Sequence, residues 1–191
     1  FRSPRGALTL LVPVIGAAMI WELPMGMHGQ FNLAGWELTL LRVDKLAVIF
    51  GLIFSLAAFL AMLYAWHVRD WVQQVAALIY AGSAIGAVFS GDFISLFIFW
   101  EGTAIASVFL IWARKTEGAY HTGMRYLVVQ IASGVILLGG VALLYRETGS
   151  TAFDAMTLGS LATWMIFIAF GIKCAFPLLH NWLQEIGRAS C

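Results

Sequence analysis

The sequence predicts an all-α protein, a polytopic bundle of transmembrane helices, and three observations support this class. Hydrophobic residues make up 61% of the chain, charged residues make up only 11%, and the mean hydropathy is +0.88. A soluble domain typically carries about 25% charged residues. The apolar residues form runs long enough to cross a bilayer, and these runs lack the alternation of barrel strands. Helix is the expected structure because lipid offers no partners to backbone polar groups.

Hydropathy indicates about six spans within a single transmembrane domain that covers residues 1–191. The spans lie near residues 6–21, 44–66, 71–90, 93–112, 124–145 and 158–179. The first span is short, contains Pro13 and follows basic residues, as the apolar core of a signal peptide does. We interpret it as a span because no polar domain follows it. Residues 185–191 form an atypical tail.

The longest connection, residues 22–43, differs in composition from the spans. Its stretch FNLAGWELTLLRV predicts a small β-hairpin at the membrane surface, with Ala34-Gly35 as the turn. Asp44 and Asp92 each precede a span, so we expect both carboxylates to cap helices. The motif GSAIG at 82–86 is of the small-xxx-small type, which lets two helices approach closely.

The distribution of Lys and Arg predicts a cytoplasmic N-terminus by the positive-inside rule. With that orientation, seven cations lie on the cytoplasmic side: Arg2, Arg5, Arg69, Arg114, Lys115, Arg125 and Arg188. Three lie on the other side: Arg42, Lys45 and Arg146. Indoles favour the membrane interface, and several tryptophans lie near predicted span ends. These are Trp21, Trp66, Trp71, Trp100, Trp112 and Trp182.

Several classes of function lack their sequence signatures. The net charge of +1 and the absence of a basic patch argue against nucleic-acid binding. We find no phosphate-binding glycine loop, zinc-ligand spacing, nucleophile elbow or haem or iron–sulfur cysteine pattern, so we expect no cofactor, metal site or catalytic residue. Cys174 and Cys191 are expected to be unpaired thiols.

Two ionisable residues, Glu101 and Lys173, lie inside apolar spans. A charge at that depth costs roughly 2.5–3.5 kcal/mol, so each requires a partner, a water-filled cavity or a function. One acid and one base on different spans predict a buried proton-handling pair. Two alternatives stay open. In one, Ser or Thr neighbours or the interface hold the carboxyl. In the other, the lysine stem carries its ammonium to the interface.

Pro177 and His180 follow Lys173 closely. A proline removes the backbone hydrogen bond to the carbonyl four residues earlier, which here belongs to Lys173. The last span should therefore bend or open at that carbonyl, which would then require water or a cation. His180 comes seven residues after Lys173, so in a helix both share a face and His180 could pass protons onward. The alternative is an interfacial histidine.

Two stretches carry a resemblance to a known family. They are SGDFISLFIFWEGTAIASVFLIWARKTEGAYHTGMRYLVVQ and FGIKCAFPLLHNWLQ. From about Asp44 to Gln184 the chain resembles the antiporter-like subunits shared by Mrp-type sodium/proton antiporters and respiratory complex I, most closely the D-type component of the former. The resemblance implies that Glu101 is the family's membrane glutamate and Lys173 its key membrane lysine. His180 lies in a variable part of the second stretch.

The same resemblance implies a longer protein. Members of the family have about fourteen helices, with two inverted repeats of five, so this chain resembles their N-terminal part. After Gln184 they continue with an acidic, proline-containing turn and a further helix. The ending EIGRASC is instead typical of a truncation, a frame change or a cloning remnant.

The resemblance implies a proton-translocating membrane subunit of a multi-subunit sodium (monovalent cation)/proton antiporter, multi-pass in the plasma (inner) membrane. Its expected partners are protons, sodium, membrane lipid and other membrane subunits, and it is expected not to be an enzyme. Two alternatives stay open. One is a proton-pumping, non-redox subunit of an NADH:quinone oxidoreductase or membrane-bound hydrogenase. The other is a non-transporting membrane scaffold in which Glu101 and Lys173 form a structural salt bridge.

Overall fold

The computed structural model describes residues 4–33, 35–68 and 70–190, which form helices and one hairpin. The helices are α1 (Pro4–Glu22), α2 (Lys45–Tyr64), α3 (Trp71–Phe89), α4 (Phe93–Trp112), α5 (Glu117–Thr148), α6 (Leu161–Lys173) and α7 (Asn181–Ser190). The strands are β1 (Gly26–Leu33) and β2 (Trp36–Val43). The predicted helical class is confirmed. Arg2, Ala34, Arg69 and Cys191, which entered the expectations above, lie outside the described residues.

Among the described residues, four helical segments are long and apolar enough to cross a membrane. They are Lys45–His67, Trp71–Phe89, Phe93–Trp112 and Glu117–Thr148. Two further apolar helices, α1 and α6, are shorter. Helix α5 extends beyond the predicted span 124–145 because Thr116 caps its start, where the Thr116 hydroxyl accepts from the Ala119 N–H at 3.2 Å.

Aspartates cap the helices as the sequence predicts. The Asp44 carboxylate accepts the Ala47 N–H at 2.8 Å at the start of α2. At the start of α4, Oδ1 of Asp92 accepts the N–H groups of Ile94 and Ser95, both at 2.8 Å. These bonds satisfy backbone donors that have no partner within the helix.

The predicted hairpin is present. Strands β1 and β2 pair antiparallel, and Leu33 faces Trp36 at the closed end. Gly35 has a φ of 88°, a left-handed conformation that glycine adopts without strain and that a two-residue hairpin turn requires. The pairing therefore places the turn at the position expected from the sequence.

The Asp92 side chain also binds the hairpin to the helical bundle. Its Oδ2 accepts the backbone N–H of Thr39 in β2 at 2.6 Å, and the Gly91 N–H donates to the Thr39 carbonyl at 3.0 Å. Asp92 is 2% exposed. The Phe93 N–H donates to Thr151 at 3.0 Å, so the connection between α5 and α6 meets the same point. One buried carboxylate thus fixes the start of α4 relative to the hairpin.

Helices α4, α5 and α6 enclose the main core. Its buried side chains are Phe93, Leu96, Trp100, Leu137, Val141, Leu144, Ala162, Ile166 and Ala169. Gly140 of α5 allows α6 to approach, because a Cβ at Gly140 would lie 2.9 Å from Cγ1 of Ile166. On the other side of α4, a Cβ at Gly102 would lie 2.7 Å from the Ser83 hydroxyl of α3. The predicted close approach at 82–86 is therefore confirmed at Ser83, and α4 is held between α3 and α5.

Candidate functional site

Lys173 is the last residue of α6, and its side chain reaches α4. Nζ donates a hydrogen bond to the backbone carbonyl of Trp100 at 3.0 Å and lies 4.9 Å from the centroid of the Trp100 ring. The carbonyl and the face of the indole both attract a cation. The carbonyl ends of α6 add a favourable negative field, since Lys173 lies in the last turn.

Helix α6 ends at Lys173, whereas the predicted span continues to residue 179. The helix does not bend and continue, so this part of the expectation is wrong. The Phe176 N–H turns back to the Gly171 carbonyl at 2.9 Å, and Ala175 and Leu178 have left-handed φ angles of 53° and 75°. The exposed Pro177 lies between these two residues and has no N–H to donate to Lys173.

His180 also lies outside α6, so the expected shared helix face of Lys173 and His180 is absent. The half-buried His180 precedes α7, where its carbonyl accepts the Leu183 N–H at 3.0 Å. The chain turns back here, because the Trp182 indole N–H donates to the Ile172 carbonyl at 3.0 Å. His180 therefore lies near the broken end of α6 by chain connectivity, and helical periodicity does not align it with Lys173.

Trp100 occupies the centre of the site, although the sequence suggested an interfacial indole. It is 5% exposed and packs edge-to-face on Phe170 of α6, with ring centroids 5.0 Å apart. Its Nε1 donates to the Ser133 hydroxyl of α5 at 3.3 Å. The interface expectation is wrong for Trp100 because large core side chains from α5 and α6 surround it. Its place beside Glu101, well inside the span, was the available signal.

Glu101 points from α4 towards α5. Its Oε1 is buried without a hydrogen-bond partner and lies against Gly134, where a Cβ would collide with it. Within the described part of the chain no ion pair joins Glu101 to Lys173. The two groups are nevertheless close enough for a Coulombic interaction. The structure thus brings acid and base into one site, offset by one residue along α4.

Gln130 is a polar residue of this region that sequence reasoning missed. It lies on α5 one turn before Gly134 and is 1% exposed, and neither atom of its side-chain amide has a hydrogen-bond partner among the described residues. A lone amide within the apolar run YLVVQIASG was the signal that could have identified it. A further turn along the same face, the Tyr126 hydroxyl lies 2.7 Å from the Ser107 hydroxyl of α4.

Comparison with known sequences identifies related proteins. The family described as NADH:quinone oxidoreductase/Mrp antiporter, transmembrane, matches residues 90–190. The chain is 27% identical to the antiporter subunit mnhA2 of Staphylococcus saprophyticus, over 97% of this chain and 26% of that protein. It is 28% identical to NADH-quinone oxidoreductase subunit N of Deinococcus radiodurans, over 97% of this chain and 43% of that protein. The chain therefore spans less than half the length of either relative.

Solved structures share the fold. One is the membrane-bound sulfane sulfur reductase, an archaeal respiratory membrane complex, with a TM-score of 0.73 and 25% identity over 93% of this chain and 35% of that one. Respiratory complex I from Thermus thermophilus matches with a TM-score of 0.67 and 22% identity, over 95% of this chain and 46% of its own. With the family matched over more than half of its residues, this membrane-embedded, multi-pass chain belongs to the NADH:quinone oxidoreductase/Mrp antiporter family.

Proposed function

We propose that the chain acts in a proton-translocating membrane subunit of a multi-subunit sodium (monovalent cation)/proton antiporter. The observation that carries the proposal is the position of Lys173, whose ammonium leaves the broken end of α6 and reaches the main chain of α4 beside Glu101. A cation held by a carbonyl and an indole face, one residue from a carboxyl, has two alternative partners. Such an arrangement suits a proton carrier better than a permanent ion pair.

Lys173 is the proposed carrier and Glu101 its electrostatic regulator. At about 4 Å and an effective dielectric near 20, a carboxylate stabilises an ammonium by roughly 4 kcal/mol. Moving one elementary charge across a membrane potential involves about 2.3 kcal/mol per 100 mV. Because these energies are comparable, movement of the ammonium between Trp100 and Glu101 is large enough to couple protonation of Lys173 to ion movement.

Pro177 and His180 take supporting roles in this proposal. Pro177 leaves the Lys173 carbonyl without its usual helical donor, and the open segment from Cys174 to His180 gives water a place to meet it. His180 would receive or deliver the proton at this end of the site. The proposed setting is the plasma (inner) membrane with a cytoplasmic N-terminus. Protons, sodium, lipid and other membrane subunits are the proposed partners.

The test is sodium-driven proton exchange in everted vesicles that contain this chain within its full-length assembly. Lys173→Ala should abolish exchange while the assembly forms normally. Lys45→Ala is the matched control, because Lys45 is exposed at the start of α2, and it should exchange normally. Near-normal exchange by Lys173→Ala would overturn the proposal.

A second function is favoured by the similarity to a protein named NADH-quinone oxidoreductase subunit N. In that case the same residues would serve a proton-pumping subunit of a respiratory complex that has no redox centre of its own. Proton movement driven by an electron donor and independent of sodium would support this function. Sodium-dependent exchange without any electron donor would support the antiporter.

A further inference from the structure

The interface of α4 and α5 contains polar groups that are buried and have no protein partner among the described residues. Oε1 of Glu101 and both side-chain amide atoms of Gln130 are of this kind, and Gln130 is 1% exposed. Buried polar groups in folded proteins nearly always have a hydrogen-bond partner, either protein or ordered water. Two neighbouring groups without one therefore indicate a missing partner that can both donate and accept.

These groups lie in one line along α5. Tyr126, Gln130 and Gly134 are four residues apart, so they share one face of the helix. The Glu101 carboxyl lies at Gly134, and the Ser107 hydroxyl of α4 lies 2.7 Å from the Tyr126 hydroxyl. The face thus carries three polar positions in order: the Glu101 carboxyl, the Gln130 amide and the Tyr126 hydroxyl.

The spacing of these positions suits water. Four residues of helix rise roughly 6 Å, and two hydrogen bonds of about 2.8 Å through one water span nearly that distance. Hydrogen-bond directions agree as well. The Ser107 hydroxyl donates to the Ala104 carbonyl at 2.8 Å, so it accepts from Tyr126. The Tyr126 oxygen then keeps a lone pair that can accept from water.

We propose that the α4–α5 interface binds internal water between Glu101, Gln130 and Tyr126, and that this water extends the proton path from Glu101 to the Ser107–Tyr126 pair. The path rests on the proposed function, whereas the water site does not. A proton that leaves the Glu101 carboxyl binds a water, and that water passes one of its own protons along the line towards the Tyr126 oxygen. Gln130 is a positioning residue, because its amide orients the water and does not itself titrate.

The experiment uses the full assembly, with two readouts for each variant. Hydroxyl-radical labelling by short X-ray pulses modifies side chains that lie beside bound water, so it reports on Tyr126, which is only 8% exposed. Sodium-driven exchange reports on the path. Gln130→Met keeps the length of the side chain and removes the amide. Leu137→Met is the matched control, since Leu137 is fully buried on the same helix and has no polar group.

We expect Tyr126 to be labelled in the unmodified assembly. Gln130→Met should reduce both labelling and exchange, the latter at least about tenfold, while Leu137→Met changes neither. Absent labelling of Tyr126, or equal labelling in Gln130→Met, would overturn the water site. Reduced labelling with unchanged exchange would overturn the path. If the unmodified assembly shows no sodium-driven exchange, the antiporter function fails, and the labelling still tests the site.

A second variant tests the path if Gln130→Met does not assemble. Tyr126→Phe keeps the ring that packs on Trp182, with centroids 5.5 Å apart, and removes only the hydroxyl. Exchange should fall about tenfold in an intact assembly, because the line then loses its last acceptor. Unchanged exchange in Tyr126→Phe would overturn the path.

Discussion

The Nζ of Lys173 donates its hydrogen bond to the backbone carbonyl of Trp100 at 3.0 Å, one residue before Glu101. The Thr103 hydroxyl donates to the same carbonyl at 2.7 Å. The lysine therefore has a partner that no side-chain substitution can remove, and its interaction with the nearby carboxyl is additional. This offset guides the first prediction.

Trp100→Phe should lower stability but largely preserve ion exchange. The change removes the indole N–H that bonds to the Ser133 hydroxyl and keeps an aromatic face and the carbonyl that hold Lys173. We expect a loss of about 1–2 kcal/mol in the free energy of unfolding, measured by denaturation in detergent. Complete loss of exchange in an intact assembly would show that the indole N–H itself is needed.

Gly134→Ala should displace the Glu101 carboxyl. The added methyl would collide with Oε1, so either the carboxyl or the α4–α5 packing must shift, at a cost of about 1–3 kcal/mol. We expect reduced thermal stability and reduced exchange together. Gly82→Ala is the matched control because nothing lies within 4 Å of a Cβ there. It should be neutral or slightly stabilising, since alanine favours helix over glycine. Equal effects of the two changes would contradict the proposed position of Glu101.

Asp92→Ala should detach the hairpin from the bundle. It removes the cap of α4 and leaves the buried N–H of Thr39 without an acceptor, for a combined loss of about 2–4 kcal/mol. Limited proteolysis should then cut the β1–β2 segment sooner. Asp44→Ala, which removes a more exposed cap, should cost only about 1 kcal/mol and leave the cleavage rate unchanged. An unchanged cleavage rate in Asp92→Ala would contradict the anchoring role.

Acid should weaken the junction between α3 and α4 through Asp70. The hydrogen bond from the Val72 N–H, with Lys115 at 3.4 Å, holds the pKa of Asp70 below its usual value. A lowered folded-state pKa means that the carboxylate stabilises the fold above the usual aspartate pKa, and that this contribution is lost as pH falls through the folded value. Asp70→Asn should therefore lose part of the stability difference between neutral and acidic solution, as measured by melting temperature. The same pH dependence in both proteins would contradict this assignment. The effect should be small because Asp70 is solvated.

Local features of the sequence were sufficient for much of the fold. Hydropathy identified the class, the alternation in FNLAGWELTLLRV identified the hairpin, and Asp44 and Asp92 were identified as caps because capping depends on neighbours within a few residues. Glu101 and Lys173 stood out because a charge in an apolar run is visible without any knowledge of neighbouring helices.

The sequence by itself therefore determined that this chain is a membrane helix bundle with one acid and one base in its apolar segments. Only the tertiary structure decided that Lys173 meets the Trp100 carbonyl, that α6 ends before Pro177 takes part in it, and that Gln130 lies buried one turn from Gly134. The physical reason is the range of the interactions. Hydropathy and capping act within a few residues, whereas contacts between helices depend on how large side chains and glycines from distant segments pack together.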